Sequence, residues 1–409
     1  MFELKEAERT VAKIKVIGVG GAGSNAINSL LASSIYGVEL IAVNTDIQHL
    51  DSSLASIKVQ IGCELTKGLG SGSDPAIGKQ AALENKDALT ACIEGADMIF
   101  IVAGMGKGTG TGASPVIASI ARGLGILTVA VVTKPFFYEG TQRRLRAEEG
   151  INELRKHVDS LIILLNDKLL KIAEPGISII KSLDIVNDVL KNAIEGITDI
   201  ILVPGYLNLD FADVRTIMEN AGTAIVGRGV SKGQNAVIEA VKKAVSNPLM
   251  EDSLISEAKK VLVHIMSGSN LSMEDVETIS TYIHDSVHDE ANIIKGITIN
   301  TDMEDEIKVT VIATGIDKTT PPKLPKPIKS WEPFQELATS GSLGKILKKD
   351  IPTTQQDRGK VEKPLEQSKE IKEPPVDEKA QEKPTIPSDD DYDIPTILRK
   401  KTPPSMTIS

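Results

Sequence analysis

Alternating strand and helix signals along the first 165 residues leave few architectures open to this chain. Five short runs rich in β-branched residues, 13–19, 38–44, 97–103, 126–133 and 160–165, read as buried strands, each followed by a helical pattern. Such alternation predicts a parallel sheet with helices on both faces, an α/β domain of Rossmann type. Ligands in sheets of this kind bind beyond the carboxyl ends of the strands. From Ile177 to Leu202 runs one long stripe (Ile179, Leu183, Val186, Leu190, Ile194, Ile197 and Ile201, at steps of three and four), which predicts a helix buried as a spine between two domains. After Pro204-Gly205 the pattern changes. Helices over 211–220, 235–246 and 272–287 interleave with strands over 224–230, 259–266, 293–300 and 306–315, and the last two strands read as a hairpin around residues 301–305. This is a smaller α+β domain.

Proline marks where the folded body ends. Six of the 20 prolines lie in residues 1–316, eleven in 317–388 and three in 389–409. Residues 317–388 also carry 14 Lys/Arg against 12 Asp/Glu and few large apolar side chains, too little apolar surface to offset the entropy of ordering, so they read as disordered linker. The expected organisation is 1–176, a nucleotide-binding domain; 177–202, the central helix; 203–316, the α+β domain; 317–388, the linker; and 389–409, a terminal peptide. Of the formal net charge of -10, the linker contributes +2 and the tail, with three Lys/Arg against four Asp, -1, which leaves -11 on residues 1–316. That acidity argues against a protein that coats nucleic acid through counterion release. No apolar run approaches the ~18 residues of a membrane span, and the first 15 residues lack the apolar core of a signal peptide. Cys63 and Cys92 alone offer neither a disulfide framework nor a cysteine metal cluster, and fit a reducing cytoplasm.

Two glycine clusters carry the chemistry. Gly18-Val19-Gly20-Gly21-Ala22-Gly23-Ser24-Asn25 joins the first strand to the first helix and contains a formal G-x-G-x-x-G, which suits a phosphate at a helix N-terminus. The bland alternative is a tight turn without a ligand. Gly104-Met105-Gly106-Lys107-Gly108-Thr109-Gly110-Thr111-Gly112 follows the 97–103 strand and opens a helix over 113–123. A dehydrogenase has no use for this second, longer loop, and the Gly-Lys-Ser/Thr ending of a Walker loop at its required spacing is missing. Two such loops at neighbouring strand ends suit a longer phosphate chain.

Residues 106–112 resemble the tubulin-superfamily signature GGGTGTG, with Lys107 where the signature has glycine. Residues 66–72 (Thr-Lys-Gly-Leu-Gly-Ser-Gly), 135–140 (Pro-Phe-Phe-Tyr-Glu-Gly) and 208–215 (Asn-Leu-Asp-Phe-Ala-Asp-Val-Arg) are similar to segments of the FtsZ family, the bacterial tubulin-like cell-division GTPases. The match runs through essentially all of 10–316 and recurs at the tail. The resemblance implies a tubulin/FtsZ-like fold that binds GTP/GDP with Mg²⁺. It implies nucleotide contacts from Gly20, Gly21, Ala22, Gly23, Ser24, Asn25, Asn44, Gly72, Gly106, Gly108, Thr109, Gly110 and Thr111, ribose and base contacts from Glu139 and Arg143, and guanine contacts from Asn166, Asn187 and Asp188. A carboxylate or amide beside guanine accepts from N1–H and N2–H₂, which adenine does not offer.

By the same resemblance Asp210 and Asp213 orient and polarise the attacking water, with Asn208 helping to place it, in the pocket of the next subunit of a head-to-tail homopolymer. Read from the residues alone, Asp210 and Asp213 make an equally good helix-start capping pair. The tail, acidic at 389–391, apolar at Ile394, Ile397 and Leu398 and basic at 399–401, is similar to the family's C-terminal peptide. The resemblance implies that Asp393, Ile394, Pro395, Ile397, Leu398 and Arg399 dock membrane tethers such as the actin-like FtsA, at midcell beneath the inner membrane, without direct membrane insertion. A flexible 72-residue linker gives that tether a reach of roughly 45–50 Å. His284 and His288 mimic metal-ligand spacing but lack a third partner and read as a solvated face. Two rivals stand beside a filament-forming GTPase: a Rossmann-type dehydrogenase and a tubulin-like paralogue that polymerises without turnover.

Overall fold

The computed structural model describes residues 12–33, 35, 37–168, 177–233, 235–246 and 255–316. All of them lie in the first of the two units into which the chain divides, residues 1–324 and 325–409. The expected linker, the docking peptide and the linker aromatics Trp331 and Phe334 therefore lie outside the described residues.

The first half runs β1 (Ile14–Val19), α1 (Gly20–Ala32), β2 (Val38–Asn44), α2 (Ile47–Asp51), β3 (Ile57–Gln60), α3 (Cys63–Thr66), α4 (Pro75–Glu84), α5 (Lys86–Ile93), β4 (Met98–Gly104), α6 (Thr109–Gly123), β5 (Leu127–Lys134), α7 (Thr141–Arg155) and β6 (Ser160–Leu165). Its strands pair in parallel in the order β3-β2-β1-β4-β5-β6, and the direction of winding reverses between β1 and β4. Alternate residues of each strand feed two apolar layers. Ile14 and Val16, Met98 and Phe100, Leu127 and Val129 face the layer built by α1 and the helix Ile179–Leu202, whereas Ile17 and Val19, Ile99 and Ile101, Ala130 and Val132 face the layer built by α5, α6 and α7. Burial on both faces is why these strands read as continuous apolar runs.

Helix α8 (Ile179–Leu202) crosses to the second half. It starts two residues later than the stripe implied, because Ser178 caps it, its hydroxyl accepting from the Lys181 N–H. Val186, Leu190, Ile194 and Ile197 are buried as expected, but Leu183 is 46% exposed. The stripe is a spine over its middle and end, while its first turns face an open cleft.

The second half comprises α9 (Phe211–Met218), β7 (Gly222–Lys232), α10 (Ala236–Val245), β8 (Lys260–Ser267), α11 (Met273–His284), β9 (Asn292–Ile299) and β10 (Glu306–Thr314). It extends the sheet as β6-β7-β10-β8-β9. The juncture is narrow: β6 and β7 share only the pairs Ser160–Gly222 and Leu161–Thr223. The expected hairpin is overturned. β9 pairs in parallel with β8, and β10 lies between β7 and β8, antiparallel to both. Alternation predicts a strand but not its neighbour, and burial decides the order. β8 and β10, buried along nearly their whole length, take central places, and the half-exposed β9 is left at the edge. The turn through Thr301–Met303 carries the chain across the end of β8, where the Asn300 N–H donates to the Ser267 carbonyl. Helix α11 ends at His284, three residues short of the expected bound, so exposed His288 is not its partner on one helical face.

Candidate functional site

A cleft of 510 Å³ opens at the carboxyl ends of β1, β2, β4, β5 and β6, over the point where the strand order reverses. That is where open α/β sheets hold ligands, and the volume suits a nucleotide-sized molecule.

At one end four loops converge. The first follows β1, where Gly20, Gly21 and Ala22 form the first turn of α1. Gly20 takes φ +71°, and its Cα faces the backbone of Gly110, so the two glycine loops touch. The second loop, Asn44-Thr45-Asp46, is folded by its own side chain: Asn44 Oδ1 accepts from the Thr45 and Asp46 N–H groups. Asp46 caps α2, its Oδ1 accepting from the His49 N–H at 3.0 Å. The third is Leu69–Ser73, and the fourth runs from Gly104 to Gly110. The hydroxyl of Thr109 joins three of them, lying 2.7 Å from Thr45 Oγ1 and 3.0 Å from Ser71 Oγ. The helix begins at Thr109, four residues earlier than expected, so Gly110, Thr111 and Gly112 belong to its first turn. Free N–H groups at the starts of α1 and α6 thus face the cleft together, an arrangement that favours a polyanion.

The other end is larger in side chains. Phe136, Leu183, Val186 and Leu190 give it apolar walls, and Asn166, Asn187 and Glu139 give it polar points. The Asn166 side chain is buried and its Oδ1 has no hydrogen-bond partner, so a donor from a ligand would satisfy it. Glu139 is held rigidly: Oε1 accepts from the Phe136 N–H and Oε2 from Arg143 at 2.7 Å.

Of the residues expected here, Gly20, Gly21, Ala22, Asn25, Asn44, Gly72, Gly108, Thr109, Gly110, Glu139, Asn166 and Asn187 line the cleft. The others stand behind or beside it. Gly23 packs against β4, where an added Cβ would meet the Val102 carbonyl at 2.5 Å, and Ser24 is buried with its hydroxyl unpartnered. Gly106 turns the loop at φ +101°, and its N–H donates to Thr111 Oγ1, so both serve the loop's shape. Arg143 reaches the cleft through Glu139. Asp188 faces a shallower groove beside the cleft, between α1 and α8, with Asn25, Asn28, Asp184 and Asn187.

Sequence reasoning missed Thr45, Asp46, Ser71, Phe136 and Leu183 as wall residues. Polar Thr45-Asp46 directly after an apolar strand, and Ser71 inside a glycine-rich loop, were the available signals.

Asn208, Asp210 and Asp213 do not line the cleft. They sit where the chain leaves α8, with Tyr206 91% exposed beside them. Asp210 caps α9, its Oδ1 accepting from the Asp213 N–H at 2.9 Å, while Asp213 Oδ2 accepts from the Asp210 N–H at 3.1 Å. The capping pair is real, yet each carboxylate commits one oxygen and leaves the other without a hydrogen bond among the described residues. Asn208 Oδ1 accepts from the Gly205 N–H and shapes the loop.

Comparison with known proteins follows this division. The profile of the tubulin/FtsZ family GTPase domain matches residues 13–174, and that of the FtsZ family C-terminal domain matches 222–317. The chain is 51% identical over 305 residues to the cell division protein FtsZ of Wigglesworthia glossinidia brevipalpis, covering 75% of this chain and 79% of that one. It is 50% identical over 316 residues to the protein of that name from Buchnera aphidicola subsp. Acyrthosiphon pisum, covering 77% and 82%. Among solved structures, an empty FtsZ dimer of M. jannaschii superposes with a TM-score of 0.70 at 40% identity, covering 76% of this chain and 90% of that one. A GTPγS-bound protofilament of CetZ2 from Haloferax volcanii gives 0.66 at 22% identity, covering 75% and 94%, a likeness of fold alone.

Proposed function

The chain belongs to the tubulin/FtsZ family, whose members bind and hydrolyse GTP and polymerise in cell division, and we propose that its hydrolytic site is completed only when the Asp210 loop of one subunit enters the nucleotide cleft of the next. One observation carries this reading. Of the two carboxylates on the cleft wall, Glu139 is tied to Arg143 and the Phe136 N–H, and Asp46 caps α2 with one oxygen, whereas Asp210 and Asp213, at a helix start that no wall of the cleft includes, each keep one oxygen without a hydrogen bond among the described residues.

In this reading the glycine turns of α1 and α6 hold the phosphates by backbone N–H groups, and the Thr109 hydroxyl keeps the loops in register. Glu139 and Arg143 meet the ribose, and Asn166, Asn187 and Asp188 meet the guanine edge. Asp210 and Asp213 of the adjoining subunit orient a water in line with the terminal phosphorus, and Asn208 fixes their loop. The water's oxygen bonds to that phosphorus as the bond to the bridging oxygen breaks, giving GDP and phosphate.

The donor set suits Mg²⁺, which takes phosphate oxygens, keeps most of its waters and needs one or two carboxylates. Among the described residues no cluster of three His, Cys, Asp or Glu forms an all-protein metal site, and Asp46, with Oδ2 uncommitted, would be the protein's ligand. The ion would neutralise phosphate charge.

A head-to-tail contact of two different faces continues without closing and yields filaments. No helix among the described residues is long and apolar enough to cross a membrane. Attachment at midcell beneath the inner membrane is assigned to the 389–409 peptide acting through a tether such as FtsA, with 317–388 as the spacer.

The test is GTP turnover per subunit against protein concentration, which rises steeply above a threshold. Mixing a cleft variant (Gly21→Val) with a loop variant (Asp213→Ala) restores turnover that neither shows alone. A specific activity independent of concentration, with no complementation, rules out a site shared between subunits.

A further inference from the structure

The phosphate end of the cleft holds a side chain that the backbone cradle does not require. Among the described residues lining the cleft only His49 and Lys107 are basic. The His49 ring is packed on the loop of α1, with Cε1 and Nε2 3.4 Å from where a Cβ on Gly21 would stand. Lys107 is different. It follows Gly106, which turns at φ +101°, and precedes Gly108, whose Cα is pressed against Ser71 and the backbone of Asp74. Its own backbone is outside the left-handed region, so no conformational demand selects or penalises a side chain there. The residue is anchored on both sides, yet its side chain is exposed and takes part in none of the hydrogen bonds or ion pairs among the described residues. The two acids on the wall have partners of their own: Glu139 is held by Arg143, and one oxygen of Asp46 by the His49 N–H.

An ammonium without a partner, two residues before the start of α6, adds a full charge to the partial charges of the helix end. The body around it carries a formal -11, which repels a polyanion approaching from solution, so a cation at the cleft has an uncommon local weight. A lysine is also the compact, rotatable donor that serves as a point-charge phosphate ligand. The tubulin signature that residues 106–112 resemble has glycine at this place, so the charge is an addition made by this chain.

We infer that Lys107 is a phosphate-binding residue of the cleft, its ammonium pairing with the polyphosphate of the bound guanine nucleotide beside the first turn of α6. The inference rests on the cleft being the GTP site.

A charge series at this position tests it, with binding of GDP and of a slowly hydrolysed GTP analogue to the full chain measured in low salt, below the concentration of assembly. Lys107→Arg binds within about twofold of wild type, Lys107→Ala about tenfold weaker and Lys107→Glu about a hundredfold weaker, the scale of one partly screened unit charge removed and then reversed. The spread narrows as salt is added. Lys156→Glu reverses a charge on an exposed lysine paired only with Glu153 and leaves affinity unchanged. Wild-type affinity in Lys107→Glu overturns the inference, as does an equal loss in Lys156→Glu, which would make the effect one of overall charge. Gly21→Val separates the two readings. If it still binds nucleotide, the cleft is not the site; if it loses binding while Lys107→Glu keeps it, only the role of the lysine is lost.

Discussion

Gly112 separates two reasons for a glycine-rich loop. If the glycines served only to let phosphate approach, alanine at a position turned away from the cleft would be harmless. The geometry says otherwise. A Cβ on Gly112 would stand against the Pro75 carbonyl, closer than any carbon–oxygen contact allows, 2.6 Å from the Lys79 N and 3.0 Å from the Gly78 carbonyl carbon. All three are backbone atoms of α4, so no side chain can swing aside. Helix α4 would have to retreat, although Asp74 caps it and Pro75 starts it. Such overpacking costs about 3 kcal/mol at the upper end of the usual range. Replacing a helical glycine by alanine returns about 1 kcal/mol. The net expectation for Gly112→Ala is a loss of about 2 kcal/mol, read as a thermal midpoint about 5 °C lower. Because Ser71 and Asp74 sit on the segment that moves with α4, nucleotide affinity falls as well. Gly123, at the other end of the same helix, is the control: a Cβ there meets nothing within 4 Å, and its φ is not positive. Gly123→Ala raises stability by about 0.5–1 kcal/mol. Thermal unfolding of the two variants side by side, with and without GDP, is the assay. A Gly112→Ala protein as stable as Gly123→Ala would refute the packing argument.

Three further outcomes are expected. Asp213→Asn keeps a side-chain acceptor for the Asp210 N–H, so unfolding midpoint and GTP affinity stay near wild type while assembled turnover falls at least about tenfold, the usual scale of a positioned proton acceptor; unchanged turnover would remove Asp213 from the chemistry. His264 is buried beside Thr298, Nε2 to Oγ1 2.8 Å, and burial, with the nearby Arg228 charge, lowers its pKa from 6.5 to about 4. The unfolded chain therefore takes up the proton first, and the stability of the neutral histidine, complete above pH 6.5, is lost as pH falls to about 4. Urea titrations should show the stability gap between wild type and His264→Gln shift by up to about 3 kcal/mol across that window, in favour of the variant at low pH. Arg228 bridges Glu195 at 2.6 Å and Asp199 at 2.9 Å from β7 to α8, and burial already pushes the Asp199 carboxyl up against the opposing pull of Arg228. Arg228→Met leaves Asp199 unpaired and Glu195 with only Lys191, 4.0 Å away, and costs about 3 kcal/mol near neutral pH, less once the carboxylates protonate; denaturation at two pH values measures both.

The parallel half was legible because its strands are buried on both sides, which leaves β-branched runs such as those of β4 and β5 that only a central strand explains. β3 was not: four residues, Ile57–Gln60, with Lys58 exposed, carry too little pattern. The β9–β10 error came from a property that alternation does not encode, since side-chain period fixes a strand's faces and says nothing of its neighbour. At the site, glycine spacing located both turns at the cleft, but spacing could not distinguish a glycine lining the cleft, such as Gly21, from one facing a helix, such as Gly112. Thr45 and Ser71 escaped notice because their role is to hold Thr109 across three loops, a relation invisible in any one segment. The Asp210–Asp213 pair was open to two readings in sequence: the capping geometry is present, and the oxygen that each side chain leaves uncommitted is the one the proposed role would use.

The two-pair juncture between β6 and β7 also sets how a row of these molecules bears load. A sheet resists pulling through the number of hydrogen bonds strained at once, and here only Ser160–Gly222 and Leu161–Thr223 span the seam. Around it, the Ser160 hydroxyl donates to the Met218 carbonyl, Arg155 to Thr223 Oγ1 and the Asn220 N–H to Asp159, and beyond these the connection is α8 with its apolar packing and the Arg228 bridges. Tension between the two halves would therefore be shared by a narrow seam, a few side-chain bonds and one helix, and that short set of links is where a molecule in a row would yield first.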